Sequence, residues 1–160
     1  AWVSDITYIH TTHGFRYLTS VIDLFDRKTV GWSLSSNLTA ADTAVRAYRM
    51  AVRNRKPQPG MIFHSDRGVQ YASEEFRNTL DRHVVQSMSR KGNCWDNAVA
   101  ESFFKSLKCE LIYDNKTLTP EQLEIEIFEY IEIWYNKVRR HSALQNMTID
   151  EFWKINAKSA

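Results

Sequence analysis

Trp2-Val-Ser-Asp-Ile-Thr-Tyr-Ile9 is a run of β-branched and aromatic residues broken by one acid. Such residues fit the pleated, half-buried surface of a sheet, so the run predicts a strand over 2–10. Asp5 falls in its middle, where an apolar or small residue would pack better. Two stretches of the same character follow, Phe15–Leu24 and Thr29–Ser35, with tight turns at His13-Gly14 and Asp26-Arg27. Three strands joined this closely make an antiparallel meander.

From Thr39 the period changes. Thr39 can cap a helix, Asp42 suits its first turn, and Ala44, Ala47, Tyr48 and Ala51 repeat on one face until Pro57 and Pro59 end it. Met61–His64 reads as a short strand, Ser73 opens a helix to about Arg82, and Val84–Ser87 as another strand. Helices alternating with strands imply parallel pairing here. The turn-rich segment 88–97 then precedes a helix with Phe103, Phe104, Leu107 and Leu111 on its apolar side. Thr119-Pro-Glu-Gln122 is a capping box with Pro at the first helical position, and Thr148-Ile-Asp-Glu151 is a second box. Between them Leu123, Ile127, Tyr130 and Trp134 form the expected buried stripe of a helix to about Arg140. The expected architecture is α/β: a five-stranded mixed sheet of ribonuclease H-like type, three antiparallel strands followed by parallel ones, flanked by helices.

Two further acids stand where their surroundings favour other residues. Asp66, in His64-Ser-Asp-Arg-Gly-Val-Gln-Tyr71, follows the fourth strand, and Glu101 opens a helix otherwise rich in Ala, Val and Phe. In the ribonuclease H-like topology the first and fourth strands lie side by side, so Asp5 and Asp66 would face one another. A helix crossing nearby adds a third carboxylate. Acids are rarely buried without compensation, and three converging ones repel, which a pair of divalent cations relieves. Taken singly, Asp5 reads as a strand-edge residue, Asp66 as a turn residue and Glu101 as a surface residue. Asp96 competes as third acid, but its position before Asn97-Ala98 suits a helix cap.

Composition bounds the rest. The 160 residues suit one domain, large enough to bury about 70% of the surface its unfolded chain exposes. There is no apolar run of about 18 residues to cross a membrane. Cys94 and Cys109 lack zinc-ligand spacing and are expected as free thiols in a reducing compartment. The net charge of +2 does not by itself argue for nucleic acid, but the basic residues are grouped: Arg46, Arg49 and Arg53; Arg90-Lys91; Lys105 and Lys108; Lys137-Val-Arg-Arg-His141. Glu101, Lys105 and Lys108 fall within an arc of roughly 60° on one helix face, setting a metal ligand beside two phosphate-seeking ammonium groups.

Six ordered stretches carry a resemblance: Trp2–Tyr8, Val30-Gly-Trp32, His64-Ser-Asp-Arg-Gly68, Ser87-Met-Ser-Arg-Lys-Gly-Asn93, Asp96-Asn-Ala-Val-Ala-Glu-Ser-Phe-Phe104 and Tyr135-Asn-Lys-Val-Arg-Arg-His-Ser-Ala-Leu144. Over nearly its whole length the chain resembles the catalytic core of bacterial insertion-sequence transposases of the retroviral-integrase-like branch, products of a second reading frame. The 35 positions between Asp66 and Glu101 match that family's acidic triad. The resemblance departs after Leu144, where Gln145-Asn146 replaces the usual Gly-Tyr and Ile149 the usual Pro. The helix-turn-helix region expected upstream is not in this sequence, which reads as a single core domain, 1–160.

The resemblance implies a polynucleotidyl transferase. Water attacks a phosphodiester at the element's end, and the exposed 3′-OH then attacks another. Asp5, Asp66 and Glu101 are the implied catalytic residues and metal ligands, Asp5 bridging two Mg²⁺ or Mn²⁺ ions; no nucleotide or other small-molecule cofactor is needed. Expected DNA contacts are Lys105, Lys108, Arg90, Lys91, Arg139 and Arg140, with Trp95 stacking on an unpaired base or buried against the core. His64 is a proton shuttle or a packed imidazole. The implied partners are transposon ends and target DNA, bound by a homo-oligomer in the cytoplasm, with no membrane. An inert or domesticated DNA-binding module and a ribonuclease H-type nuclease are alternatives with the same fold.

Overall fold

The computed structural model describes residues 1–90, 97–112 and 117–157. The meander is present as β1 (Trp2–Thr11), β2 (Gly14–Asp23) and β3 (Thr29–Ser35), all antiparallel. β4 (Ile62–Ser65) lies parallel to β1, and β5 (Val85–Met88) parallel to β4, giving the order β3-β2-β1-β4-β5. This is the expected ribonuclease H-like sheet. β1 and β4 pair only at Trp2 with Phe63 and Val3 with His64, then part.

Helices cover both faces, which is why the sheet strands carry apolar side chains on both sides. On one face α1 (Arg46–Asn54), entered through a wider π-type turn at Ala41–Val45, packs with α2 (Val69–Ala72) and α3 (Glu74–Thr79) over Trp2, Val21, Val30 and Phe63. Gly31 makes the closest approach: a Cβ there would collide with the Ala47 carbonyl and with Ala51. Thr39 Oγ1 accepts from the Asp42 N–H, and Ser73 caps α3 through the Phe76 N–H, as their residue types predict.

On the other face α4 (Ala98–Leu107) continues through a π turn at Lys108–Ile112, and α5 (Pro120–Phe128) through a π run at Glu129–Val138. Both capping boxes form, Thr119 with Gln122 and Thr148 with Glu151, the latter opening α6 (Ile149–Ala157). The buried stripe differs from expectation in its last members. Leu123, Ile127 and Tyr130 are buried, but Trp134 is 44% exposed while Ile131 and Tyr135 are buried. More residues per turn in the π run advance the inward position by four at each step, from 127 to 131 to 135, where a 3.6-residue period had picked 134.

At the end of the sheet near Phe25, Arg55 clamps two acids. Its guanidinium donates to Asp23 at 2.6 Å and to the fully buried Asp26 at 2.7 Å. Trp153 of α6 donates its indole N–H to Asp26 at 2.7 Å, and Trp2 donates to Asp23. Burial would raise the Asp26 pKa, but the hydrogen bonds from Arg55 and Trp153 overcome it and hold the carboxyl below its ordinary value. Asp26, read from sequence as a turn residue, is therefore also what fastens α6.

Candidate active site

Ser4 joins the segments that carry the three acids. Its hydroxyl hydrogen-bonds the Tyr71 hydroxyl at 2.7 Å, tying β1 to the short helix that follows the Asp66 loop. Its carbonyl accepts from the side-chain amide of Asn97 at 3.4 Å, tying β1 to the start of α4. The next residue along β1 is Asp5, and one helical turn beyond Asn97 stands Glu101. Continuing the β1–β4 register by two residues sets Asp66 opposite Asp5.

The Asp66 loop is held from several sides. Arg67 donates to the Ser89 carbonyl at 2.9 Å, and one Asp66 oxygen accepts from the Gly68 N–H at 2.8 Å. A Cβ at Gly68 would press on that same oxygen, which gives the glycine of His-Ser-Asp-Arg-Gly a physical reason. His64 is a packed imidazole, its two nitrogens shared between the hydroxyls of Ser87 and Ser89. A cleft of about 240 Å³, lined by Thr7, Tyr8, Leu38, Asp66 and Gln70, opens beside the loop.

Electrostatics report that the acids sense one another. Burial raises the Asp5 pKa from 3.8 to about 6; the Ile6 N–H opposes this, and the charges of Asp66 and Glu101 reinforce it. Among the described residues, however, no three His, Cys, Asp or Glu side chains form a ready metal cage. The donor types still suit a hard cation: Asp5, Asp66 and Glu101 offer only carboxylate oxygens, and burial together with the charges of the other two holds Asp5 back from ionising. Lys105 is exposed on the Glu101 face of α4, and the Lys108 ammonium sits 5.6 Å from the centre of the Tyr8 ring, beside β1.

Two of the other expected contacts carry acidic neighbours. Arg139 is bound by a two-pronged pair to Glu110, at 2.8 Å, and Glu110 also accepts from Tyr130 and Trp134. Arg140 pairs with Glu151 at 3.0 Å. Both guanidiniums thus have internal acidic partners. Arg90 is exposed just beyond β5. Lys91, Cys94, Trp95 and Asp96 lie outside the described residues. Asn97 holds the N-cap position of α4 without a capping bond, because its amide turns to Ser4 instead. Sequence reasoning missed that tie, and the tie from Tyr71. Their only signal was position, inside motifs that otherwise carry acids.

Comparison with known proteins agrees with this architecture. The integrase core domain family matches residues 1–94 and again residues 82–148. The transposase for insertion sequence element IS904 of Lactococcus lactis subsp. lactis (strain IL1403) is 47% identical over 158 residues, covering 98% of this chain and 62% of that protein. Transposase InsF for insertion sequence IS3A of Escherichia coli (strain K12) is 44% identical over 156 residues, covering 97% and 54%. The chain therefore spans little more than half the length of these curated relatives. Among solved structures, the simian T-cell lymphotropic virus intasome in complex with PP2A regulatory subunit B56 gamma superposes with a TM-score of 0.74 at 17% identity, over 94% of this chain and 52% of that one. The HTLV-2 integrase catalytic core domain in complex with magnesium, trimeric form, gives 0.67 at 16% identity, over 94% and 93%. The fold is that of integrase catalytic cores, and the chain belongs to the integrase core domain family.

Proposed function

We propose that this chain is the catalytic core of a DDE transposase, cutting DNA strands at the ends of an insertion sequence and joining the freed 3′ ends to a target. The observation that carries the reading is the junction at Ser4, through which one strand residue is tied to both segments bearing the other two acids. Asp5, Asp66 and Glu101 would hold divalent Mg²⁺ or Mn²⁺. When bound, the ions supply activation of the attacking oxygen and stabilisation of the leaving one. The chain's own part is positional. The sheet fixes Asp5, Gly68 and Arg67 hold the Asp66 loop, and α4 with the π turn after it presents Glu101, Lys105 and Lys108, where ammonium groups would seat the phosphates beside the scissile bond.

Arg90 and the segment with Lys91 and Trp95 are proposed as further DNA contacts. Arg139 and Arg140, already paired, serve better to order the chain after the π run. Two transposon ends must be brought together, so the working form is a homo-oligomer on DNA, acting in the bacterial cytoplasm.

The test is Glu101→Gln assayed on DNA carrying matched ends. Cleavage and strand joining should both vanish while DNA affinity is kept. An equal loss of DNA binding would overturn the ligand role. Hydrolysis without joined products in the unmutated protein would favour a ribonuclease H-type nuclease.

A further inference from the structure

One residue on from Glu101, about 100° round the helix, Ser102 and then Ser106 face a second cleft, of about 320 Å³. Its opposite wall comes from the turn before β3, through Arg27, and from the end of the π run and the turn after it, through Tyr135, Arg139 and Ser142. The walls are held together by Asn136, whose side-chain amide both donates to and accepts from the backbone of Thr29.

The charge inventory of this cleft is one-sided. Among the described residues, its lining contains no acid. Arg139 is neutralised by Glu110. Burial lowers the His141 pKa, favouring the neutral ring, and a ring nitrogen bonds the Tyr135 carbonyl. Asp26, next to Arg27 in sequence, is turned away into the Arg55 and Trp153 network. The Arg27 guanidinium, half-buried at the cleft wall, makes no ion pair or side-chain hydrogen bond with the described residues. Its backbone is held at a φ of 65°, where a residue with a Cβ is disfavoured. A half-buried cation at positive φ with no acidic partner among the described residues, lining one cleft with serine hydroxyls, is what an oxyanion site presents before its ligand arrives.

We propose that this cleft seats a backbone phosphate of the bound DNA, with Arg27 supplying the charge and Ser102, Ser106 and Ser142 the hydroxyl donors. The inference rests on the DNA-processing role proposed above. It gives α4 two flanks with two tasks: one holds the phosphate that reacts, the other a phosphate that does not, and the pair fixes how the DNA lies across the helix. The planar guanidinium fork matches phosphate geometry better than an ammonium.

The experiment is a nuclear magnetic resonance titration of the metal-free chain with a short mixed-sequence duplex and, separately, with inorganic phosphate. The duplex should move the Arg27 side-chain resonance together with the amides of Ser102, Ser106 and Ser142, and phosphate alone should not at the same phosphate concentration. Ser102→Glu, at an exposed position that folding tolerates, should weaken duplex binding and reduce the slope of log affinity against log salt by about 0.9, the loss of one phosphate contact. Arg27→Gln should do the same and Arg27→Lys recover part of it. If Lys105 responds while Arg27 and the serines stay silent, or if Ser102→Glu leaves the slope unchanged, the cleft proposal fails and the proposed function stands. Equal shifts from inorganic phosphate would make this a small-anion site instead. No response to DNA anywhere would remove both readings.

Discussion

The Asn97 side chain donates to the Ser4 carbonyl, so the residue that starts the Glu101 helix is bonded to the residue that precedes Asp5. The oxygen of the same amide is buried with no partner among the described residues, so the group is held there for its donor. Asn97→Ala should therefore leave the fold in place, costing about 1 kcal/mol, yet lower strand-transfer activity about 10- to 100-fold, as loss of groups that orient ligands does. Thermal melting and strand-transfer assays in parallel check this. Equal, small losses in both would mean that the tie does not position Glu101.

Asp5 should make the metal-free protein less stable at neutral pH than in mild acid. The folded carboxyl keeps its proton up to about 6 whereas the unfolded one releases it near 3.8, so folding takes up a proton between these values and stability falls as pH rises through them. The full shift corresponds to at most about 3 kcal/mol, and about 1–2 for a carboxyl still in contact with water. Asp5→Asn should remove that pH dependence, raise the melting temperature at pH 7, and abolish catalysis. Added Mg²⁺ with DNA should raise the melting temperature of the unmutated complex but not that of the variant.

The Arg55 clamp gives a prediction of opposite sign. Arg55→Ala leaves Asp26 buried with only neutral donors, at a cost of about 3–5 kcal/mol. Trp153→Phe keeps the ring but removes the indole N–H, costing about 1–3 kcal/mol. Urea denaturation of the two variants distinguishes them, and a Trp153→Phe protein as unstable as Arg55→Ala would show that α6 is held chiefly by that one bond.

Gln145 and Asn146 both adopt positive φ, at 55° and 60°, in the turn closed by the His141–Met147 bridge. Glycine suits such a position, so Gln145→Gly should stabilise the chain by about 0.5–1 kcal/mol, seen as a higher melting temperature. A lower one would mean that the Gln145 side chain contributes more than its backbone costs.

The strands were legible because their patterning is local: Trp2–Ile9 and Thr29–Ser35 declare themselves by residue type, and Asp5 by interrupting one of them. The capping boxes at Thr119 and Thr148 were legible for the same reason. What was not legible depends on distant partners. Nothing near Arg139 or Arg140 in sequence announces Glu110 or Glu151, so the ion pairs these arginines make appear only once the helices pack. The change of phase that buries Ile131 and Tyr135 in place of Trp134 is likewise set by packing against the sheet, and a fixed helical period cannot foresee it. The departure at Gln145-Asn146 was visible, and the turn it put in doubt forms without glycine.

Edge strands invite a neighbouring chain to pair with them, and β3 is an edge strand. Here the Thr29 N–H and carbonyl are both engaged by Asn136, and the Trp32 N–H points to the Met50 sulfur. A foreign strand arriving from that side meets donors already committed. The asparagine that braces the meander thus also guards this end of it, so copies of this chain at high concentration are denied one route into disordered aggregates.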